Sequence, residues 1–125
     1  MAAHNDLGQW GEDFAADYLR TKGYEIRERD WHSGRRDLDI IALTPDKATL
    51  VFVGVKTRMP GEPTAPEDAI NRSKVRNLGL AANAYVKSYG VTEELRFDII
   101  TVVGSSPADA KLVHEEDAFN PLLVY

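Results

Sequence analysis

The chain has 125 residues, 43% of them hydrophobic and 28% charged, which is the profile of one globular domain over residues 1–125. A net charge of −5 disfavours indiscriminate binding to nucleic acid, and the lack of cysteine excludes disulfides, thiolate metal sites and a cysteine nucleophile. Because the sequence shows neither a secretory signal nor the ~18 apolar residues of a membrane span, we expect a cytoplasmic protein with no membrane partner.

The first third of the chain predicts a helix followed by a strand. Apolar residues at helical spacing favour an amphipathic helix over residues 6–22 that ends at Gly23. Its apolar stripe contains Leu7, Trp10, Phe14, Tyr18 and Leu19. Residues 24–31 alternate between apolar and charged, which is typical of a half-exposed strand near a sheet edge. Residues 32–36 are expected to form a turn or loop.

An antiparallel hairpin is predicted over residues 37–43 and 49–56, which only five residues connect. A register in which opposed residue numbers sum to 93 places Ile40 opposite Val53, Asp39 opposite Gly54 and Asp37 opposite Lys56. The other face would then pair apolar residues, Leu38 with Val55 among them. A slip by one residue would set both aspartates against valines, and burial of the faces disfavours that.

The remaining segments complete an α/β pattern. Residues 59–66 predict an irregular loop, and residues 67–89 predict a second helix that ends at Gly90. Its expected core positions are Ile70, Leu78, Ala81, Ala82, Tyr85 and Tyr89. Residues 95–103 form a strand that we expect to run parallel to the second hairpin strand, because a helix connects the two. Residues 111–114 predict a last short strand.

Chemistry is concentrated at the polar end of the hairpin. Asp37 and Asp39 are alternate residues of one strand and lie about 6.5–7 Å apart on one face, with Lys56 opposite them. Carboxylates at a buried position need a cation or hydrogen bonds to offset the loss of water. Two interpretations remain open: an Asp37–Lys56 ion pair at the end of the hairpin, or a catalytic or metal-binding site.

The order of these residues resembles the PD-(D/E)xK nuclease superfamily and, more narrowly, the YraN-like bacterial family related to Holliday junction resolvases. Most of the chain carries the resemblance, which rests on residues 11–13, 37–42, 50–58, 61–63 and 96–98, with further matches near Lys74 and Phe119. It implies a restriction-endonuclease-like fold, a mixed sheet with a helix-β-β-β-helix-β core. It also implies metal-dependent hydrolysis of DNA phosphodiesters, branched DNA included, by a homodimer.

The same resemblance assigns roles in the site. Asp39 and an acid at position 54 would hold Mg²⁺ or Mn²⁺, and the Val55 carbonyl would complete the inner shell. Lys56 would position the attacking water, and Glu12 would approach the metal from the first helix. Position 54 departs from the pattern, because the chain has Gly54 where the family has Glu.

Without that acid we expect metal binding to be weak or absent and hydrolysis to be impaired. Three explanations stay open. Asp37 or Glu12 replaces the missing ligand; or the site is degenerate and the domain is a non-catalytic module that binds nucleic acid or protein; or the change was introduced to disable hydrolysis.

Charge along the chain indicates where a polyanion would bind. Residues 20–87 carry thirteen basic and nine acidic residues, whereas both flanking segments are acidic. Six bases are candidate phosphate contacts: Arg35, Arg36, Arg58, Arg72, Lys74 and Arg76. The alternative is that they form an ordinary solvated face.

Overall fold

A five-stranded mixed sheet carries one long helix on each face in the computed structural model, which describes residues 3–61 and 72–120. Strand order follows chain order; β3 and β4 are parallel, and every other neighbouring pair is antiparallel. The elements are α1 (Ala3–Thr21), β1 (Glu25–Ser33), β2 (Arg36–Leu43), β3 (Thr49–Arg58), α2 (Arg72–Tyr89), β4 (Glu94–Val103), a 3-10 turn (Pro107–Asp109) and β5 (Lys111–Glu115). The predicted helix-β-β-β-helix-β order is confirmed, and residues 62–71 of the predicted loop and second helix lie outside the described ranges.

Helix α1 packs closely on the end of β3. A Cβ added at Gly11 would collide with the Thr57 side chain, so only glycine fits this crossing. The helix ends where Gly23 adopts a φ of +91°, and the Tyr24 N–H donates back to the Leu19 carbonyl. The close approach aligns the middle of α1 with the polar end of the β2–β3 hairpin.

The predicted hairpin register is confirmed over its apolar part. Ile40 pairs with Val53 and Leu43 with Leu50, so opposed residue numbers sum to 93. The hydrogen-bonded ladder ends at Ile40 and Val53, however, and does not extend to the predicted Asp39–Gly54 and Asp37–Lys56 pairs. Asp37 pairs instead with His32 of β1, and β2 and β3 separate at their polar ends.

The two faces of the sheet hold two apolar clusters. On the α1 side, Ala15, Ala16 and Leu19 pack on Ile40, Ala42, Val51, Val53, Ile100 and Val102. On the α2 side, Ala81, Ala82 and Tyr85 pack on Leu38, Ile41, Leu43, Leu50 and Phe52. The expectation that the hairpin is covered on both faces is therefore confirmed.

Side-chain alternation reverses near the turn between β1 and β2. Arg29 contacts α1, but Trp31, two residues later, packs edge-on against Tyr85 of α2. Asp30 lies between them with a φ of +51°. Leu38, the partner of Trp31, joins the α2 cluster, while Ile40 belongs to the α1 cluster. The expectation that Leu38 shares a face with Ile40 was wrong, because side-chain alternation is interrupted between them, opposite the positive φ of Asp30.

Helix α2 differs in detail from its predicted pattern. Val75 is buried although it was not among the expected core positions, and Tyr89 is 57% exposed although it was. The turn between β1 and β2 is also shorter than predicted, because His32 and Ser33 belong to β1 and Arg36 to β2. None of the helices in the described ranges is long and apolar enough to span a membrane.

A buried polar network joins β4, β5 and α1. Asp98 is fully buried and accepts hydrogen bonds from the Arg96 guanidinium, from His114 Nε2 at 2.7 Å and from the Asp117 N–H at 3.0 Å. His114 Nδ1 in turn lies 3.0 Å from the Tyr18 hydroxyl. Because every oxygen of the carboxylate is paired, the buried charge is compensated.

Candidate functional site

Asp39 lies where β2 separates from β3, at the polar end of the hairpin. Its Oδ2 accepts a hydrogen bond of 2.8 Å from the Val55 N–H, in place of a backbone carbonyl of β2. Asp39 belongs to a cluster of carboxylates that includes Glu12 of α1, and it also lines a cleft with residues of α2. It therefore borders an acidic cluster on the α1 side and a basic cleft on the α2 side.

The acidic cluster consists of Glu12, Asp30 and Asp39. One carboxylate oxygen from each lies within 4.8 Å of the other two. Glu12 is a buried residue of α1, and its Oε1 accepts a hydrogen bond of 3.1 Å from Arg29 Nη2, which also donates to Asp13 at 2.7 Å. Glu12 is therefore a buried residue with charged neighbours and not an isolated surface glutamate.

Crowding of these acids changes their protonation. Burial raises the pKa of Glu12 to about 7, helped by a hydrogen bond to Asp30 and by repulsion from Asp30 and Asp39, while Arg29 opposes the change. Burial also raises the pKa of Asp39, with repulsion from Asp37 and Asp30, against the Val55 N–H and the charge of Lys74. The folded chain therefore gathers carboxylates that repel one another.

This donor set fits a hard divalent cation. Mg²⁺ and Mn²⁺ take carboxylate oxygens, and one or two protein carboxylates with waters suffice for Mg²⁺. A cation would also offset the repulsion that raises both pKa values. The residues that would hold it are Asp39, Glu12 and Asp30.

The basic cleft lies on the opposite side of Asp39, between the β1–β2 turn and the first described turn of α2. Its volume is about 520 Å³. The floor contains Asp39, Gly54 and Val55, and the walls contain Arg35, Arg36, Asp37, Ser73, Lys74, Asn77 and Leu78. Three of the six predicted phosphate contacts, Arg35, Arg36 and Lys74, are thus brought together.

Gly54 is a buried residue in the floor of this cleft, where an added Cβ would make one close contact. A Cβ built there would lie 3.3 Å from Ile99 Cδ1, and no other described atom beyond its chain neighbours comes within 4 Å. Lys56 is two residues further along β3, so strand alternation places it on the same face as Gly54. Gly54 and Lys56 therefore share the cleft face, whereas Asp39 lines the cleft and also belongs to the acidic cluster on the α1 side.

The remaining predicted residues divide between the cleft and other parts of the described chain. Asp37 lines the cleft as an exposed residue, but it is not among the three clustered carboxylates. Arg58 ends β3, while Arg72 and Arg76 lie on exposed positions of α2, and none of the three lines the cleft. Val55 contributes its N–H to Asp39.

Asp30 is the acidic residue that the sequence analysis missed. Ser33 pairs with Arg36 across a two-residue turn, and this register places Asp30 opposite Asp39. The short turn around Gly34, whose φ is +63°, was the available signal. Ser73 and Asn77 were also missed, because nothing in the helical pattern distinguishes them from solvated polar residues.

Comparisons with known proteins agree with one another. A model of the uncharacterised protein family UPF0102 matches residues 11–102. A UPF0102 protein of Porphyromonas gingivalis is 46% identical over 125 residues, covering 99% of this chain and 90% of that protein. UPF0102 proteins of Bacteroides thetaiotaomicron and Parabacteroides distasonis are 42% identical over 123 residues and 40% over 119 residues. These alignments cover 98% and 95% of this chain, and 99% and 96% of the two relatives.

Proposed function

We propose that this chain, which belongs to the uncharacterised protein family UPF0102, is a nucleic-acid-binding domain of the PD-(D/E)xK nuclease type. Family membership agrees with the YraN-like resemblance of the sequence. The observation that carries the proposal is the position of Asp39 between a basic cleft and a cluster of carboxylates. Phosphoryl chemistry needs both kinds of group at one place.

Binding would use the cleft. Arg35 and Arg36 at its rim and Lys74 in its wall supply cationic donors for phosphate oxygens. The chain as a whole is acidic, so attraction is confined to this local surface and DNA would bind in one orientation. We propose DNA as the partner, with branched DNA among the substrates.

Hydrolysis would depend on the acidic cluster. A divalent cation there would polarise a phosphoryl oxygen and lower the pKa of a water molecule. Asp39, which the cleft and the acidic cluster share, would hold the cation, with Glu12 and Asp30 approaching it from the α1 side. Lys56, on the cleft face with Gly54, would position the scissile phosphate or the water. Because Gly54 offers no carboxylate, we expect cation affinity and hydrolysis to be reduced.

A non-catalytic module is the second candidate, and Gly54 is the observation that favours it. Arg29 forms an ion pair with Glu12 at 3.1 Å, which further reduces the negative charge that Glu12 offers to a cation. In this case the cleft would bind nucleic acid without cleaving it.

Binding is tested by fluorescence anisotropy with a labelled four-way DNA junction, a linear duplex and an RNA duplex. The Arg35→Ala/Arg36→Ala double variant should weaken binding and reduce the slope of log K against log salt by about 2, since each phosphate contact contributes about 0.9. The matched control is Arg20→Ala/Arg27→Ala, which removes two exposed arginines elsewhere. Equal losses in both double variants would contradict a role for the cleft.

Hydrolysis is tested by restoring the missing acid. Gly54→Glu should gain Mn²⁺-dependent cleavage of the junction, whereas Gly54→Gln, of the same size, should not. Adding Asp39→Asn to Gly54→Glu should abolish that gain. Cleavage by Gly54→Glu alone identifies an impaired nuclease, and cleavage by none of the proteins favours the non-catalytic module.

A further inference from the structure

A second cavity lies on the α2 side of the sheet, apart from the basic cleft. It is bounded by the second half of α2, the start of β4 and residues 117–120, and its volume is about 520 Å³. We call it the β4 cavity. Among the described residues, none lines both the β4 cavity and the cleft. Its volume is within the range of about 300–1,000 Å³ that is usual for pockets that bind small molecules.

Aromatic rings line the β4 cavity. The ring centroids of Phe97 and Phe119 lie 5.5 Å apart with the planes at 35°, and Phe97 also stacks on Phe52 at 5.3 Å. On the α2 side the lining includes Gly79 and Ala82, which leave room for a flat group beside the rings. Stacking on aromatic side chains is how proteins hold unpaired nucleic-acid bases. The shape and the lining of the cavity therefore suit a planar ring system.

Polar groups in the lining suit the edge of a base. The exposed side chains of Asn83 and Asn120 line the cavity, and an amide offers both a donor and an acceptor. Asp117 adds an exposed carboxylate on the wall that residues 117–120 form, and a carboxylate accepts hydrogen bonds from amino groups. An alkyl chain would use none of these groups, whereas adenine, cytosine and guanine carry an amino group and acceptors that match them.

The surface of α2 beside the cavity is basic. The helix carries four basic residues and no acidic residue, although the net charge of the chain is −5. Arg76, Asn83 and Lys87 are exposed and follow one another at intervals of seven and four residues, so they form a stripe along one side of the helix. Because Asn83 also lines the β4 cavity, this stripe borders it.

The stripe faces away from the cleft. Lys74 lines the cleft and is two residues before Arg76, which places the two side chains about 200° apart around the helix. Arg76 and Lys87 are about 16 Å apart along the helix axis, at a rise of 1.5 Å per residue. The cations of the stripe thus form a second basic surface, which belongs to the β4 cavity.

We propose that the β4 cavity binds an unpaired base of a single-stranded nucleic-acid segment, whose phosphates lie along Arg76 and Lys87. The inference rests on the proposed function, nucleic-acid binding, and adds single strands as a ligand class with a site of its own. The charge of Asp117 repels phosphate, so the backbone follows α2 and the edge of the base points toward Asp117. A basic surface along the backbone, next to aromatic rings that stack bases, is the combination by which proteins bind single strands.

The test is fluorescence anisotropy in EDTA with a labelled oligo(dA) strand and with an abasic strand of the same length. The abasic strand keeps the phosphates but has no bases, so oligo(dA) should bind more tightly. Phe119→Leu should weaken oligo(dA) binding about tenfold, the usual effect of losing one base–aromatic stack, and should leave binding of the abasic strand unchanged. Phe119→Tyr keeps the ring and should bind oligo(dA) as the parent protein does. The matched control is Tyr89→Leu, which removes an exposed ring of α2 that does not line the cavity, and it should have no effect.

The stripe on α2 is tested by the salt dependence of binding. Arg76→Ala/Lys87→Ala should reduce the slope of log K against log salt for oligo(dA) by about 1.4, since each phosphate contact with a single strand contributes about 0.7. Both side chains are exposed, so the core is undisturbed, and Arg20→Ala/Arg27→Ala is again the control. Equal affinity of the parent protein for oligo(dA) and the abasic strand, or unchanged affinity in Phe119→Leu, would overturn the inference in favour of an apolar group of a protein partner.

Failure of the cavity and failure of the proposed function give different results. If the protein binds duplex DNA through Arg35 and Arg36 but does not prefer oligo(dA) to the abasic strand, the cavity is wrong and the proposed function stands. If Phe119→Leu weakens oligo(dA) binding but the protein binds neither the junction nor either duplex, the cavity stands and the proposed function is wrong.

Discussion

Replacing Asp98 by asparagine should destabilise the protein strongly, although the residue lies away from the cleft. The carboxylate is fully buried and receives four hydrogen bonds, two of them from the Arg96 guanidinium at 2.8 and 2.9 Å. An asparagine amide would face Arg96 with a donor instead of an acceptor, and the guanidinium would lose its buried counter-charge. Breaking such a buried pair costs about 3–5 kcal/mol.

The structure favours the lower end of that range. Arg96 retains the Tyr24 hydroxyl at 2.7 Å and Glu116 at 3.5 Å, so it keeps partners when Asp98 is neutral. We therefore expect a loss of about 3 kcal/mol, which in a domain of this size corresponds to a fall in Tm of about 12 °C. Urea unfolding followed by circular dichroism measures the free energy, and calorimetry measures Tm.

At acidic pH the difference in unfolding free energy between the wild type and Asp98→Asn should disappear. Burial raises the pKa of Asp98, but hydrogen bonds from His114, Arg96 and the Asp117 N–H outweigh it and hold the pKa below its ordinary value. A lowered folded-state pKa means that the stabilisation is complete above the unfolded value of about 3.9 and is lost as pH falls through the folded value. The matched control is Asp17→Asn, at an exposed ion pair with Arg20, which should cost less than about 1 kcal/mol. Equal costs for the two variants at pH 7 would refute this account of the network.

Two further substitutions test the positions that shape the site. Gly11→Ala should lower the free energy of unfolding in urea by about 1–3 kcal/mol despite the better helix propensity of alanine, because the added methyl group collides with Thr57. Adding Thr57→Ala should recover part of this loss. A Gly11→Ala variant that is more stable than the wild type would contradict the close packing. Glu12→Gln should stabilise the protein in EDTA more at pH 8 than at pH 5. The folded-state pKa of Glu12 is about 7, above its ordinary value, so the free energy of unfolding of the wild type falls as the pH rises from the ordinary pKa to about 7. A difference in unfolding free energy between variant and wild type that stays constant from pH 5 to pH 8 would show that Glu12 is not crowded by Asp30 and Asp39.

The elements and the central register follow from local patterns in the sequence. A slip of the hairpin by one residue would set Asp37 and Asp39 against valines, so burial favours one register, and the structure has it over the apolar part of the hairpin. The glycines at 23 and 90 likewise predict the carboxyl-terminal ends of both helices, which the structure has at Thr21 and Tyr89. These features depend on neighbours that are close along the chain.

The site depends on features that a periodic pattern does not contain. Asp30 reaches Asp39 because the backbone adopts a positive φ there and the alternation of side chains reverses. The predicted extension of the hairpin to Asp37 and Lys56 assumed regular pairing, whereas a side-chain acceptor, Asp39, replaces the backbone ladder at Val55. Tyr89 fits the helical stripe, but its ring contacts Tyr85 of the same helix and stays largely exposed.

Since the Asp39 carboxylate belongs to both the acidic cluster and the basic cleft, occupation of one side changes the free energy of occupation on the other. A cation held by Glu12, Asp30 and Asp39 would offset the negative charge that Asp39 contributes to the cleft and so increase the affinity of the cleft for phosphate. Thermodynamic linkage requires the reverse effect to be equally large, so phosphate would tighten the cation. One carboxylate shared between the cluster and the cleft would thus make a bound cation and a bound phosphate cooperative without any movement of the backbone.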